Sequence, residues 1–432
     1  MEIDTQTNDK AVYLPALHDI QSASLALHDI VRRTTIYKSD AESKRYNANV
    51  FYKREDRQIV RSYKLRGAYN KMISLPEEVL ARGVVCASAG NHAQGVAYSC
   101  HKLKVKGTIF MPTPTPKQKI RQVKMFGGEF VDVVLYGDTF DDASKEAMRF
   151  RQEHDVTFIH PFDDEKVIEG QGTVALEILA DLSKYFGKSV DYLFVPIGGG
   201  GLISGVLSVF HALSPQTRII GVEPKGAPSM LESLKADHVV TLEEIDKFVD
   251  GAAVKRVGDK PFAICREWLG VENVVTVDEG AVCMTILQLY DEEGIVLEPA
   301  GALSVAALEH FKGEIAGKNV VCILSGSNND ISRMEEIRER SLMYQQVKHY
   351  FIIWFPQRSG ALREFVNEVL GENDDITYFS YTKKNSREKG PVVVGIELQK
   401  ASDYAPMIQR MTEHGFSYKY LNEQDDLFQY LI

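Results

Sequence analysis

Val190 to Ile197 is an almost unbroken apolar run that passes directly into Gly198, Gly199, Gly200 and Gly201. Leu202 to Leu213 then places apolar residues at helical spacing. A buried strand that turns through glycines into a helix belongs to a layered α/β architecture, with parallel strands inside and helices on their faces. The glycines also bear on chemistry. Successive N–H groups without side chains form a nest for an anion, and a helix N-terminus adds its dipole. No lysine with serine or threonine follows, as a Walker loop requires, and contiguous glycines lack the dinucleotide-fingerprint spacing. A terminal phosphate held by main chain alone fits the run best.

The same grammar recurs upstream. Gly83–Ser88 reads as a strand, Ala89-Gly90-Asn91-His92 as a turn and Ala93–His101 as a helix. Gly107–Met111 is a strand ended by Pro112, Pro114 and Pro116, and Lys117–Phe126 a helix stopped by Gly127-Gly128. Glu129–Leu135 and Phe140–His154 add a strand and a helix, completing a small α/β lobe. Asp19–Val31 reads as a packing helix, and Gly170-Gln171-Gly172-Thr173 precedes a helix through Ile178 and Tyr185. Strands at Arg218–Pro224 and Asn319–Leu324, the latter closing on Ser325 to Asn329, imply a second, larger α/β layer.

The character changes near residue 347. Strands at Val347–Phe355, Ile376–Lys383, Val392–Leu398 and Phe416–Leu421 alternate with helices at Gly360–Leu370 and Ala401–His414. Strand, helix, strand, strand, helix, strand is the split ferredoxin-like order. The expected division is a catalytic domain over 1–340, with a small lobe over about 55–165 inserted in the large one, and a second domain over 347–432.

Composition narrows the partners. The chain has 432 residues, 44% hydrophobic and 25% charged, as in a globular protein with a full core. A formal net charge of −10 argues against a nucleic-acid surface. The polar start leads us to expect no secretory signal, and no apolar run reaches membrane-spanning length. The expected setting is cytoplasmic, with no membrane and no nucleic acid as partner. Five scattered cysteines, an odd number mostly within apolar segments, read as buried thiols, with no metal site and no disulfide.

Within Val60–Ala68, Lys64 follows Ser62 and the charged turn Arg54–Arg57 and opens a helix. A lysine whose surroundings disfavour its charge becomes a nucleophile, typically toward a carbonyl or pyridoxal phosphate. Arg61 and Arg66 would act in that direction if they face it. Ser88, Ala89, Gly90, Asn91 and His92 lie between a strand end and a helix start, where their amides suit a carboxylate, and Asn91 could donate to a ring oxygen; a plain N-cap is the alternative. Ser325, at the end of the last strand, offers a neutral hydroxyl to a ring nitrogen.

Ser62 to Ala68, Ser88 to His92, Gly198 to Leu202 and Ser325 to Asn328, in this order, resemble the fold-type II pyridoxal-phosphate enzymes, and among them the threonine dehydratases (threonine ammonia-lyases). Leu297 to Ala302 and His160 to Asp164 are similar to that family as well. The C-terminal part resembles the single ACT-like regulatory domain of the short biosynthetic forms. The resemblance implies a two-lobed, tryptophan synthase β-like catalytic domain with pyridoxal 5'-phosphate as cofactor. It implies that Lys64 holds the cofactor as an imine and then serves as base. Gly198, Gly199, Gly200, Gly201 and Leu202 would bind the phosphate, Asn91 the phenolic oxygen and Ser325 the pyridine nitrogen. Ser88, Ala89, Gly90, Asn91 and His92 would meet the substrate.

The implied reaction is dehydration and deamination of L-threonine to 2-oxobutanoate and ammonia, the first step of isoleucine synthesis. Isoleucine is the implied effector, with valine a second candidate, and the assembly a homotetramer or homodimer. L-Serine dehydratase and catabolic threonine dehydratase are the alternatives. Racemisation is disfavoured because Ala89 stands where serine racemases place a serine. Glu223-Pro224 matches part of a metal site in relatives, but Ser229 stands near the other ligand's place. A non-catalytic amino-acid-sensing protein is the rival from a different class.

Overall fold

The computed structural model describes residues 13–382 and 388–423. In chain order the strands are β1 (Ile36–Ser39), β2 (Asn49–Lys53), β3 (Val84–Ala87), β4 (Gly107–Met111), β5 (Val131–Leu135), β6 (Thr157–Phe158), β7 (Tyr192–Pro196), β8 (Arg218–Pro224), β9 (Val274–Val277), β10 (Asn319–Ile323), β11 (Lys348–Pro356), β12 (Asp375–Tyr381), β13 (Lys389–Glu397) and β14 (Ser417–Tyr420). They form three sheets, ordered β1-β2-β10-β7-β8-β9, β5-β4-β3-β6 and β12-β13-β11-β14. The chain divides into two units, one of residues 1–279 with 289–330 and the other of residues 280–288 with 331–432.

The first unit holds the first two sheets. Apart from the antiparallel edge strand β1, every pairing in them is parallel. Strands buried on both faces need continuous apolar sequence, and Leu193, Phe194, Val195, Ile220 and Val222 are fully buried. In parallel sheets the strand ends that lead into helices gather at one edge, where ligands bind. β3 leads into Ser88–Gly90, β7 into Gly198–Gly200 and β10 into Ser325–Asn328.

Three helices carry the packing under that edge: Lys64–Ile73, Glu165–Phe186 and Gly201–Leu213. The middle one starts earlier than the sequence reading placed it, capped by Asp164, whose carboxylate accepts from Val167 N at 3.2 Å. Gly170 and Gly172 therefore lie inside the helix. A Cβ on Gly205 would stand 2.5 Å from Gly172 N, so the helices cross at a glycine pair. The "charged turn" at 54–57 is also different from a solvated one: Glu55 is fully buried in a short 3-10 turn because Arg66 pairs with it. The first helix ends at Ala26, shorter than apolar spacing through Val31 predicted, and β1, β2, β6 and β9, all short, escaped notice.

The second unit contains the antiparallel sheet. Phe351, Ile353, Phe355, Val392, Val394 and Ile396 pack from it against Phe365, Met407, Met411 and Phe416. The helix read at 360–370 is an α-turn over Ala361–Glu364 continuing as a π-turn over Phe365–Val369. Part of the strand read to Lys383 lies outside the described residues.

Candidate active site

Lys64 is the first residue of its helix and is held from both sides. Upstream, Arg61 takes a left-handed conformation (φ 59°), uncommon for a side-chain-bearing residue. Its carbonyl accepts from Ser327 N at 2.9 Å, Tyr63 N donates to Ser325 O at 3.2 Å, and Ser62 bridges Gly326. The lysine is thereby laced to the end of β10. Downstream, the fully buried Arg66 donates to Glu55 (2.8 and 2.9 Å), Glu177 (2.8 and 3.0 Å) and Thr173 (3.1 Å). Lys53 reaches Glu177 at 2.6 Å in the same network.

The Lys64 amine donates to Pro161 O at 2.8 Å and lies 5.4 Å from the Tyr63 ring centroid and 6.0 Å from that of Phe162. Burial pushes its pKa down to about 8, against the opposing pull of Glu298. Desolvation, and not a neighbouring arginine, disfavours the charge: Arg66 is committed to Glu55 and Glu177.

The glycines form a wall of bare main chain. Gly200 is left-handed (φ 92°), and a Cβ there would lie 2.6 Å from Pro261 Cβ. A Cβ on Gly199 would enter the Phe162 ring, one on Gly201 would meet Phe162 Cα at 3.0 Å, and one on Gly198 would meet Ala252 Cα at 3.1 Å. The helix that begins at Gly201 presents N–H groups without intrahelical partners toward this loop, and Leu202 is buried behind it. Phe162 thus stands against the glycines on one side and near the Lys64 amine on the other. In the sequence Phe162 lies within the stretch His160–Asp164, and a lone phenylalanine carries no signal for such a role.

A second group of polar residues closes the site. Asn91 donates from Nδ2 to Glu298 Oε1 at 2.6 Å, and Asn328 donates from N to Glu298 Oε2 at 3.2 Å and from Nδ2 to Asn91 Oδ1 at 2.6 Å. Burial raises the Glu298 carboxyl to about 7. The helix start is formed without a side-chain N-cap: Gly90 is the capping residue, and Ser88 Oγ accepts from Gly90 N at 3.2 Å. Ala89 precedes it. The His92 ring is buried with Nε2 meeting Ile159 O at 2.8 Å, and burial lowers it to about 3, so it is neutral. Ser325 Oγ donates to Ala300 O at 3.2 Å.

These residues fit pyridoxal phosphate. Side-chain-free main chain at a helix start suits a phosphate, and an amine of lowered pKa near the same Phe162 ring suits an aldehyde. Ser62 Oγ and Asn328 Oδ1 are buried polar atoms at the site with no hydrogen-bond partner among the described residues. The donor set does not resemble a metal centre: Glu223 accepts from Met230 N (2.7 Å) and Leu231 N (2.8 Å), and burial raises it to about 8. Among the described residues no cluster of three His, Cys, Asp or Glu side chains could hold a metal. All five cysteines are buried free thiols, and no described helix is long and apolar enough to cross a membrane.

Residues 27–326 match the family model described as pyridoxal-phosphate dependent enzyme, and residues 339–431 match the C-terminal regulatory domain of threonine dehydratase. The biosynthetic L-threonine dehydratase IlvA of Halalkalibacterium halodurans is 56% identical over 416 residues, covering 96% of this chain and 99% of that protein. Its Bacillus subtilis counterpart is 54% identical over 413 residues, 96% of each. Among solved structures, the processed threonine deaminase isoform 2 from Solanum lycopersicum superposes with a TM-score of 0.71 at 41% identity, over 77% of this chain and 91% of that one. Maize serine racemase gives 0.69 at 30%, over 77% and 99%. With matches of this extent along nearly its whole length, the chain belongs to the pyridoxal-phosphate dependent enzymes of fold-type II and, within them, to the family of biosynthetic L-threonine dehydratases.

Proposed function

We propose that this enzyme eliminates water from L-threonine and that the resulting enamine takes water back to give 2-oxobutanoate and ammonia, as the first step of isoleucine synthesis. The observation that carries the reading is the placement of Lys64 and the glycine wall on either side of Phe162. Bound pyridoxal phosphate supplies the electron sink that lets the substrate's Cα proton leave. Lys64 would hold it covalently and, as a free amine, would take that proton. Gly198, Gly199, Gly200, Gly201 and Leu202 would hold the phosphate through N–H groups, Asn91 would meet the phenolic oxygen and Ser325 the ring nitrogen. The stretch Ser88, Ala89, Gly90, Asn91 and His92 receives the substrate carboxylate through backbone amides; the inward turn of the His92 ring favours a main-chain role there. Ala89 offers no acid or base, which supports elimination over racemisation.

The proposed division is a catalytic domain over 1–340, with a small lobe over about 55–165, followed by an ACT-like regulatory domain over 347–432. Isoleucine is its proposed effector, with valine as the competing candidate, in a cytoplasmic homotetramer or homodimer. The test is an absorption spectrum followed by turnover with L-threonine and L-serine, with and without isoleucine. A band of a bound imine and faster turnover of threonine are expected, with inhibition and altered sigmoidicity on adding isoleucine. A colourless protein that stays inert with added cofactor refutes the enzyme; a rate indifferent to isoleucine refutes the effector.

A further inference from the structure

The turn His160–Asp164 does more than present Pro161 O to Lys64. His160 Nδ1 accepts from Phe162 N at 3.3 Å and Asp163 N at 2.8 Å, which fixes the turn and leaves the ring proton on Nε2. The Asp163 carboxylate reaches out of the turn. Oδ2 accepts from Asp259 N at 3.1 Å and Oδ1 from Lys260 N at 3.0 Å, capping the ten-residue helix Asp259–Trp268 from a segment ninety-six and ninety-seven positions away. Just before that helix, Gly258 N donates to Gly199 O at 3.1 Å, and Pro261 packs against Gly200.

The glycine wall is therefore gripped by two jaws, Phe162 on one side and Gly258 with Pro261 on the other. Asp163 is the side chain that joins them. A nest of main-chain N–H groups selects its anion by spacing, since it has no side chains to adjust.

We infer that Asp163 is a positioning residue of the phosphate cradle, setting the conformation of Gly199–Gly201 through the paired N–H bonds to Asp259 and Lys260 while touching neither cofactor nor substrate. This rests on the reading of the glycines as the phosphate site. A carboxylate that only caps a helix contributes to stability and is blind to what the glycines hold.

The two roles separate in a selectivity measurement. Full-length protein stripped of cofactor is titrated with pyridoxal phosphate and with pyridoxal, which carries the same aldehyde and no phosphate, and the imine at Lys64 is followed by absorbance. The unaltered protein is expected to prefer the phosphate ester strongly. Asp163→Ala is expected to lose about tenfold or more of that preference, with pyridoxal affinity nearly unchanged. Asp163→Asn, which keeps one acceptor oxygen and guards against a misfolded alanine variant, is expected to fall between.

A wild-type preference in both variants, even with a lowered melting temperature, overturns the positioning role and leaves the cradle intact. Equal affinity of the unaltered protein for the two aldehydes removes the cradle, and this inference with it.

Discussion

Asn91 and Glu298, 207 positions apart in the chain, share a 2.6 Å hydrogen bond that ties the start of helix Asn91–Leu103 to the start of helix Pro299–Ala306 near Lys64. Asn328 bonds to both. A carboxyl raised by burial to about 7 therefore faces an amine lowered by burial to about 8, and Glu298 is what supports the lysine's charge. Burial thus leaves a larger share of Lys64 as free amine near neutrality than an exposed lysine would have, and the free amine is the form that can attack an aldehyde.

Replacing that carboxylate should change the lysine's reactivity in a known direction. Glu298→Gln keeps an oxygen for Asn91 and removes the negative charge, so Lys64 should lose its proton more easily. The pH midpoint for imine formation with pyridoxal phosphate in cofactor-free protein is expected to move down by about half a unit or more. An unmoved midpoint would show that Glu298 has no electrostatic hold on the lysine.

Lys64→Ala should abolish turnover and borohydride labelling while preserving the fold. Its stability should differ from the parent's in a pH-dependent way. The folded pKa of about 8 lies below the ordinary 10.5, so between these values the unfolded chain binds more protons and cofactor-free protein gains stability as pH rises through that window. Below pH 8 the buried amine is a full liability, and the alanine variant should lack the rise. Urea unfolding at pH 7 and pH 10 checks this; parallel pH profiles for the two proteins would mean the amine is solvated.

The sequence made the site legible where chemistry is written in residue type and order. Lys64, the four glycines and the stretch from Ser88 to His92 stand at element ends, which apolar runs and small-residue turns announce. Relations across the chain were hidden. Nothing in Phe162 or Asp163 as residue types says that one lies against Gly199 and the other caps a helix at residue 259. Glu55 and Arg66 look like surface charges because charged residues are rarely buried, yet mutual pairing buries both. Gly170 and Gly172 read as a loop because glycine breaks isolated helices, whereas here the lack of a side chain is what lets neighbouring helices approach.

Gly200→Asp should weaken cofactor binding through two effects that a titration can separate from unfolding. An ordinary residue at φ 92° is strained by roughly 1–3 kcal/mol, and its Cβ would press on Pro261 Cβ at 2.6 Å and Met230 Cε at 3.0 Å. The new carboxylate also places negative charge at the proposed phosphate site. Affinity for pyridoxal phosphate should drop by more than tenfold, and raised ionic strength should restore part of it. Unchanged uptake would detach the glycines from the cofactor.

Arg66→Ala tests whether the ion network beneath Lys64 holds the catalytic helix in place. Removing the guanidinium leaves Glu55 buried against the Thr34 hydroxyl and Glu177 against the Lys53 amine, and uncompensated buried charge costs about 3–5 kcal/mol. Arg66→Lys keeps the charge but offers one ammonium where the planar fork served both carboxylates, so it should recover only part of the loss. Because Arg66 sits two residues past the lysine, the same variants should broaden or shift the imine absorbance band in whatever protein remains folded. Urea unfolding with the imine absorbance as the second probe decides the matter: a loss below about 1 kcal/mol in the alanine variant would mean that water or rearranged partners replace the guanidinium, and the helix is anchored by packing against Gly170 and Gln171 instead.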